Sequence, residues 1–163
     1  MGEDSQEPRK YAFSARDRID ETVQRIRTVR DAQYRYLRNF TPGPTFASLN
    51  RYKEKCFPII PLMRQLHAQG QLTGASAMTI NLSGPSEELY DVQSDPYETH
   101  NLIASPDPHH QEALTSLRAA LDVWIVETSD RGDRPEPAAI ITRAEKEMHD
   151  WFGTPAWAQN KQP

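Results

Sequence analysis

The chain has 163 residues, 37% of them hydrophobic, with 13 prolines, a mean hydropathy of −0.77 and a formal net charge of −4. That length supports one domain with one core, and the polar balance suits a piece that buries one face against something larger. One cysteine excludes an internal disulfide framework and a multi-cysteine zinc site, and no apolar run approaches the roughly 18 residues of a membrane span, so the chain reads as soluble.

Residues 1–9 read as a polar lead-in without the apolar stretch of a secretory signal, which leaves the compartment open. Met1-Gly2 invites acylation, but Gln6 stands where Ser or Thr is expected. "KYAFSAR" begins an extended run with Tyr11 and Phe13 on one side and Ala12 and Ser14 on the other. "ARDRIDE", residues 15–21, packs two arginines and three acids into seven positions. If the strand continues, Arg16, Arg18 and Asp20 alternate against Asp17 and Ile19. An arginine suits bidentate capture of a sulfate or carboxylate, and a salt-bridge ladder at a domain interface is the other reading.

"QRIRTVRD" and "YRYLRNF" are two β-rich runs around Ala32-Gln33, with Asp31 at the turn, and they read as a hairpin over 24–40. "TPGPT" breaks the chain at 41–45. A weakly helical stretch over 48–69 is interrupted by Pro58 and Pro61. Its better half places Leu62, Leu66 and His67 near one face and ends at Gly70. Within it, Cys56 opens a Cys-x-Pro whose next two positions are Ile59 and Ile60. With no arginine beside it the thiol has no local reason to be reactive, so it reads as a semi-buried structural cysteine.

Residues 73–85 are small and polar, a loop, and "EELYDV" is another short strand. There Leu89, Tyr90 and Val92 point inward, Asp95-Pro96 makes a turn, and Leu102 returns an apolar anchor. The clearest helix spans about 107–129, where Ala113, Leu114, Leu117, Leu121, Trp124 and Ile125 recur at helical spacing after an Asp-Pro pair. His109-His110 stand at its exposed start. Adjacent histidines in an extended loop point to opposite sides, and His67, His100 and His149 are scattered, so no metal site is predicted within the chain. The tail over 130–163 holds one short helix at about 137–151, then Gly-Thr-Pro and aromatics. No phosphate loop, nucleophile elbow or kinase signature is present. The triplets Asn39-Phe40-Thr41 and Asn81-Leu82-Ser83 match the glycosylation sequon by a pattern common enough to arise by chance.

Charge is unevenly spread. Residues 16–64 hold 11 Lys/Arg against 5 Asp/Glu, and the remainder holds 8 against 18. A basic first half suits an anionic partner such as sulfated sugar, phosphate or nucleic acid, or is a solvated basic face.

Glu88, Leu89, Tyr90, Asp91, Asp95, Pro96, Glu98, Asn101 and Leu102 together resemble the E-L-Y-D-L…D-P-x-E-x-x-N-L run near the end of many sulfatases. "FSARDRIDETVQRIRTVRDAQYRYLRNFTPGPTF", "MRQLHAQGQL" and "EMHDWFGTPAWA" are similar to bacterial relatives of heparan N-sulfatase (N-sulfoglucosamine sulfohydrolase), and the likeness runs from about Tyr11 to Trp157. It implies an α+β fold over 10–129: a small antiparallel sheet of about four strands, packed by a long C-terminal helix. In that family a larger domain carries the formylglycine nucleophile, made within Cys-x-Pro-Ser-Arg, and a calcium-binding cluster. This sequence matches only the smaller C-terminal subdomain.

The resemblance therefore implies a fragment, a truncated product or a separately encoded piece. Its intact form, periplasmic or cytoplasmic, would hydrolyse sulfate esters or N-sulfates of a glycan. No catalytic residue, metal ligand or cofactor is expected in this chain. Arg16, Asp17 and Arg18 are the expected substrate-proximal residues, and Leu89, Tyr90, Asp91, Asp95, Pro96, Asn101 and Leu102 form a structural clip. The expected partners are a sulfatase catalytic domain, in cis or in trans, and a sulfated glycan, with no membrane. The alternatives are an accessory structural subunit or a stand-alone polyanion-binding module using Arg25, Arg27, Arg30, Arg35, Arg38, Tyr34 and Tyr36. Arginines on both strand faces and the lack of an RNA-binding signature argue against nucleic acid.

Overall fold

The computed structural model describes residues 9–43, 48–80 and 84–159. All but Arg9 of the lead-in, the sequon at 81–83 and part of the 41–45 break lie outside them. The fold is α+β. Four strands, β1 (Ala12–Ile19), β2 (Thr22–Arg30), β3 (Tyr34–Asn39) and β4 (Glu87–Asp91), form one antiparallel sheet in that order. Among the described residues six helices accompany it: α1 (Arg51–Cys56), α2 (Ile59–Ala68), α3 (Gly74–Ile80), α4 (Pro108–Glu127), α5 (Ala138–Phe152) and α6 (Ala156–Gln159). Among the described residues no helix is long and apolar enough to cross a membrane.

The chain divides into two compact units, one of Met1–Ala15, Ile26–Arg38 and Glu87–Arg131, the other of Arg16–Arg25, Asn39–Ser86 and Gly132–Pro163. In the first, the β2–β3 turn is set by Asp31, whose Oδ1 accepts from the amides of Gln33 (2.8 Å) and Tyr34 (2.7 Å). An aspartate that caps its own turn in this way pins the register of the strands it joins. β3 pairs with β4 so that Tyr36 faces Leu89 and Arg35 faces Tyr90. Side chains two apart on a strand share a face, so Val29, Tyr36 and Leu89 meet Leu114, Leu117 and Leu121 of α4 in one core. Tyr11, Phe13, Leu102, Trp124 and Ile125 pack partly buried against it, with Phe13 stacked on Trp124 at 5.4 Å between ring centroids. Helix α4 starts where the Asp-Pro pair predicts: Asp107 caps the amide of His109 at 2.8 Å and Pro108 takes the first turn.

In the second unit, Asn50 caps α1 through the Lys53 amide at 2.8 Å, and its own amide donates to Asp20 at 2.8 Å. Tyr52 of α1 meets Phe152 of α5 edge-on at 5.6 Å, while Ile60 and Ile80 are buried. Residues 130–163 carry α5 and α6. Three sequence expectations differ from what is found: the tail, read as holding one short helix, carries α5 and the four-residue α6. The expected loop over 73–85 contains α3, because Ala75 and Ala77 are strong helix formers and the buried Ile80 anchors the segment. Cys56, expected semi-buried, is exposed at the last position of the six-residue α1.

Candidate functional site

The predicted substrate-side residues lie at the end of β1 in the second unit. The strand continues through them, so Arg16 and Arg18 share a half-buried face and Asp17 lies on the exposed one. Arg18 Nε stands 3.4 Å from Glu136 Oε1. At the β1–β2 turn Glu21 accepts from the Arg51 amide (2.7 Å) and guanidinium (3.2 Å). Around these residues the unit collects further cations. Arg64 is paired with Glu54 at 2.6 Å and lies over the Trp157 ring at 3.8 Å. Burial lowers the Arg16 pKa, and burial followed by the charge of Arg16 lowers that of Lys53. A strand face with half-buried arginines is suited to holding an anion. Arg18 of this face is paired with Glu136, one ion pair of the kind that the sequence offered as the other reading.

The clip lies in the first unit. Leu89 and Tyr90 are buried, Leu102 is half-buried, and Pro96 sits in a turn closed by the Glu98 amide on the Asp95 carbonyl at 3.1 Å. Asp91 Oδ1 accepts from the amides of Gln93 (3.0 Å) and Ser94 (3.1 Å), and Asp95 Oδ2 from those of Thr99 (2.7 Å) and His100 (2.8 Å). Desolvation raises the pKa of both carboxylates. These bonds, with the Gln33 side chain on Asp91, outweigh it and bring both below the ordinary range. Asn101 Oδ1 takes the amides of Leu89 (3.0 Å) and Ile103 (3.1 Å), and the Leu102 amide donates to Leu89 O at 2.7 Å. The side chains of Asp91, Asp95 and Asn101 are thus engaged in holding backbone amides. Its position 98 takes φ 53°, and Glu98 is held there by Arg35 at 2.7 Å.

Sequence reasoning missed a network beside the clip. Arg118 grips Glu87 with both arms of its guanidinium, at 2.9 and 2.6 Å, and the Tyr36 hydroxyl donates to the same carboxylate. Arg38 reaches Tyr36 at 3.2 Å and Asp122 at 2.5 Å. The Arg118 bond, above all, holds the Glu87 carboxyl below its usual 4.5 against the opposing effect of burial. A depressed folded-state pKa stabilises the fold above the unfolded value, and that contribution is lost as pH falls through the folded one. Acid titration is therefore expected to lower the melting temperature less steeply in Glu87→Gln than in the parent. Parallel slopes would show that this carboxylate contributes nothing to the acid limb.

The arginines proposed for a polyanion-binding hairpin are largely engaged inside the protein. Arg25 bonds Thr41, Phe40 and Gly132, Arg27 bonds Asp130, Arg35 bonds Glu98 and Arg38 bonds Asp122.

No family model matches the chain. Over 140 residues, 86% of this chain, it is 33% identical to an ulvan-active sulfatase from Formosa agariphila, covering 23% of that protein. A second ulvan-active sulfatase from the same organism is 32% identical over 81 residues, half of this chain and 14% of that protein. This chain is similar to one region of a sulfatase. It spans under a quarter of the length of the curated relatives it matches. Two solved structures, a 2-O GAG sulfatase and a candidate sulfatase from Bacteroides thetaiotaomicron, overlay with TM-scores of 0.44 and 0.43 at 22% identity, over 78% of this chain and 18% of each of theirs.

The formylglycine and calcium that the sulfatase resemblance implies do not fit the residues at hand. Cys56 ends a short exposed helix and is followed by Phe57, Pro58, Ile59 and Ile60. Among the described residues no group of three or more His, Cys, Asp or Glu side chains could hold a metal ion.

Proposed function

We propose that this chain is the C-terminal subdomain of a sulfatase acting on a sulfated polysaccharide, and that it supplies structural support and a substrate-side surface to a catalytic domain carried in cis or in trans. The observation that carries this reading is the likeness over 86% of the chain to part of an ulvan-active sulfatase. Ulvan-type sulfate esters and glucosamine N-sulfates are both within the proposed substrate class, the second suggested by the sequence resemblance to heparan N-sulfatase relatives. Formylglycine and calcium belong, on this reading, to the catalytic domain. Arg16 and Arg18 present guanidinium groups from one strand face to a sulfate or carboxylate of the sugar, and Asp17 accepts from hydroxyls on the other side.

The chain alone is expected to release no sulfate from an aryl sulfate, ulvan or N-sulfoglucosamine with calcium supplied. Rejoined to a sulfatase catalytic domain it is expected to support turnover. In that joined enzyme Arg16→Ala/Arg18→Ala should raise KM by about tenfold with kcat nearly unchanged, the pattern of lost ground-state binding. An unchanged KM with a lowered melting temperature would leave both arginines as salt-bridge partners only. Turnover by the chain alone that disappears in Cys56→Ala would overturn the assignment of the chemistry to another domain.

A further inference from the structure

The first unit holds an open groove of about 1210 Å³ between the start of β1, the β2–β3 turn and the first turns of α4. Its sides carry rings and its rim carries charge. Tyr34 lies half-buried, with the His110 ring set edge-on to it at 6.0 Å between centroids. Tyr11 also lines the groove, its hydroxyl 3.3 Å from Ser116 Oγ and its ring 5.0 Å from Lys10 Nζ. His110 is held by Ser105 Oγ at 2.7 Å, so the ring is positioned before any ligand arrives. Arg9, Lys10 and Arg30 are exposed among the lining residues.

Acids share the groove, but two of them are engaged by backbone. Asp31 takes two turn amides and Asp107 caps α4, where the positive end of the helix dipole offsets its charge. Glu112 remains as an exposed acceptor among the lining groups. The groove therefore offers donors and acceptors side by side, aromatic edges, and a few separated cations. That combination suits a hydroxyl-rich chain bearing negative charge at intervals.

The geometry points to this groove as a binding site for an acidic oligosaccharide, with sugar rings against Tyr11 and Tyr34, hydroxyls on Glu112 and Ser116, and sulfate or carboxylate groups on Lys10 and Arg30. Single-stranded nucleic acid fits less well. Its bases need ring faces to stack on, and the ring set beside Tyr34 is His110, edge-on. A compact ligand fits less well too, because the groove is more open than enclosed. The preference for a sulfated sugar as the first probe rests on the sulfatase reading, whereas the groove and its chemistry do not.

Calorimetric titration of the full chain tests this. A heparin-derived hexasaccharide is expected to bind, and uncharged cellohexaose at least about tenfold more weakly. Lys10→Gln/Arg30→Gln should weaken the heparin hexasaccharide by about tenfold or more while melting like the parent. Arg143→Gln/Lys146→Gln, which removes the same charge from exposed sites on α5, should bind like the parent. The proposal falls if the heparin fragment does not bind or if the rim variant binds as tightly as the parent. It falls also if the α5 variant loses as much affinity, or if an oligothymidylate of equal charge binds as tightly. Should binding fail while the rejoined enzyme still releases sulfate, the groove assignment is wrong and the sulfatase reading stands.

Discussion

Leu89→Ala is expected to destabilise the protein by about 2–5 kcal/mol, the range for removing a fully buried leucine side chain and leaving a cavity. Leu89 is 0% exposed, faces Tyr36 across the β3–β4 ladder and shares its core with Leu114, Leu117 and Leu121 of α4. A packed sheet and helix cannot collapse far into the space, so the cavity should persist. Leu102→Ala, at a half-buried site, should cost only about 1–2 kcal/mol. Urea unfolding with an unchanged m-value and a lowered midpoint is the expected readout. If Leu89→Ala and Leu102→Ala shift the midpoint equally, the clip does not anchor through Leu89.

Asp130→Ala is expected to cost about 3–5 kcal/mol, because it takes the carboxylate from an arginine that is itself out of water. Arg27 has a side-chain exposure of 2% and its Nε lies 2.8 Å from Asp130 Oδ1, at an exposure of 14% for the aspartate. Asp130 also closes the end of α4, its amide donating to the Ile125 carbonyl at 3.0 Å just after Ser129 at φ 52°. The arginine further donates to the Ile26 carbonyl at 3.0 Å, which holds it in place when the acid is gone and makes the loss harder to relieve. Replacing both charges, in Arg27→Met/Asp130→Ala, should recover part of the stability, since an apolar pair leaves no buried charge without its partner. A double-mutant cycle measures the coupling directly. Additive single and double effects would mean that the two side chains act independently.

Both experiments concern the first unit, and the functional proposals divide between the units. The arginines at the end of β1 lie in the second, and the oligosaccharide groove lies in the first. Measuring KM in Arg16→Ala/Arg18→Ala and sugar affinity in Lys10→Gln/Arg30→Gln therefore tests the two proposals independently. Neither variant removes a residue of the Leu89 core.

The elements that the sequence by itself determined are those whose information is local. The leucine spacing of α4 and its Asp-Pro start are complete within one segment, and so is the β2–β3 turn, where Asp31 bonds residues two and three positions on. The turns after β4 are local for the same reason: Asp91 and Asp95 satisfy amides within five residues of themselves. Local signals failed where they were weak. The short helix α3 reads as loop because Gly74, Ser76 and Thr79 dilute its alanines, and burial of Ile80 decides the outcome. Cys56 could not be placed by residue type alone, since a short helix can lie with either side outward. Partner choice was beyond the sequence altogether. With 19 basic and 23 acidic residues, nothing local says that Arg27 meets Asp130, that Arg118 meets Glu87, or that Arg18 meets Glu136. Nor does anything local bring Tyr11, Tyr34 and His110 to one groove. Such pairings join positions tens of residues apart, and only chain closure around the core brings them within bonding distance.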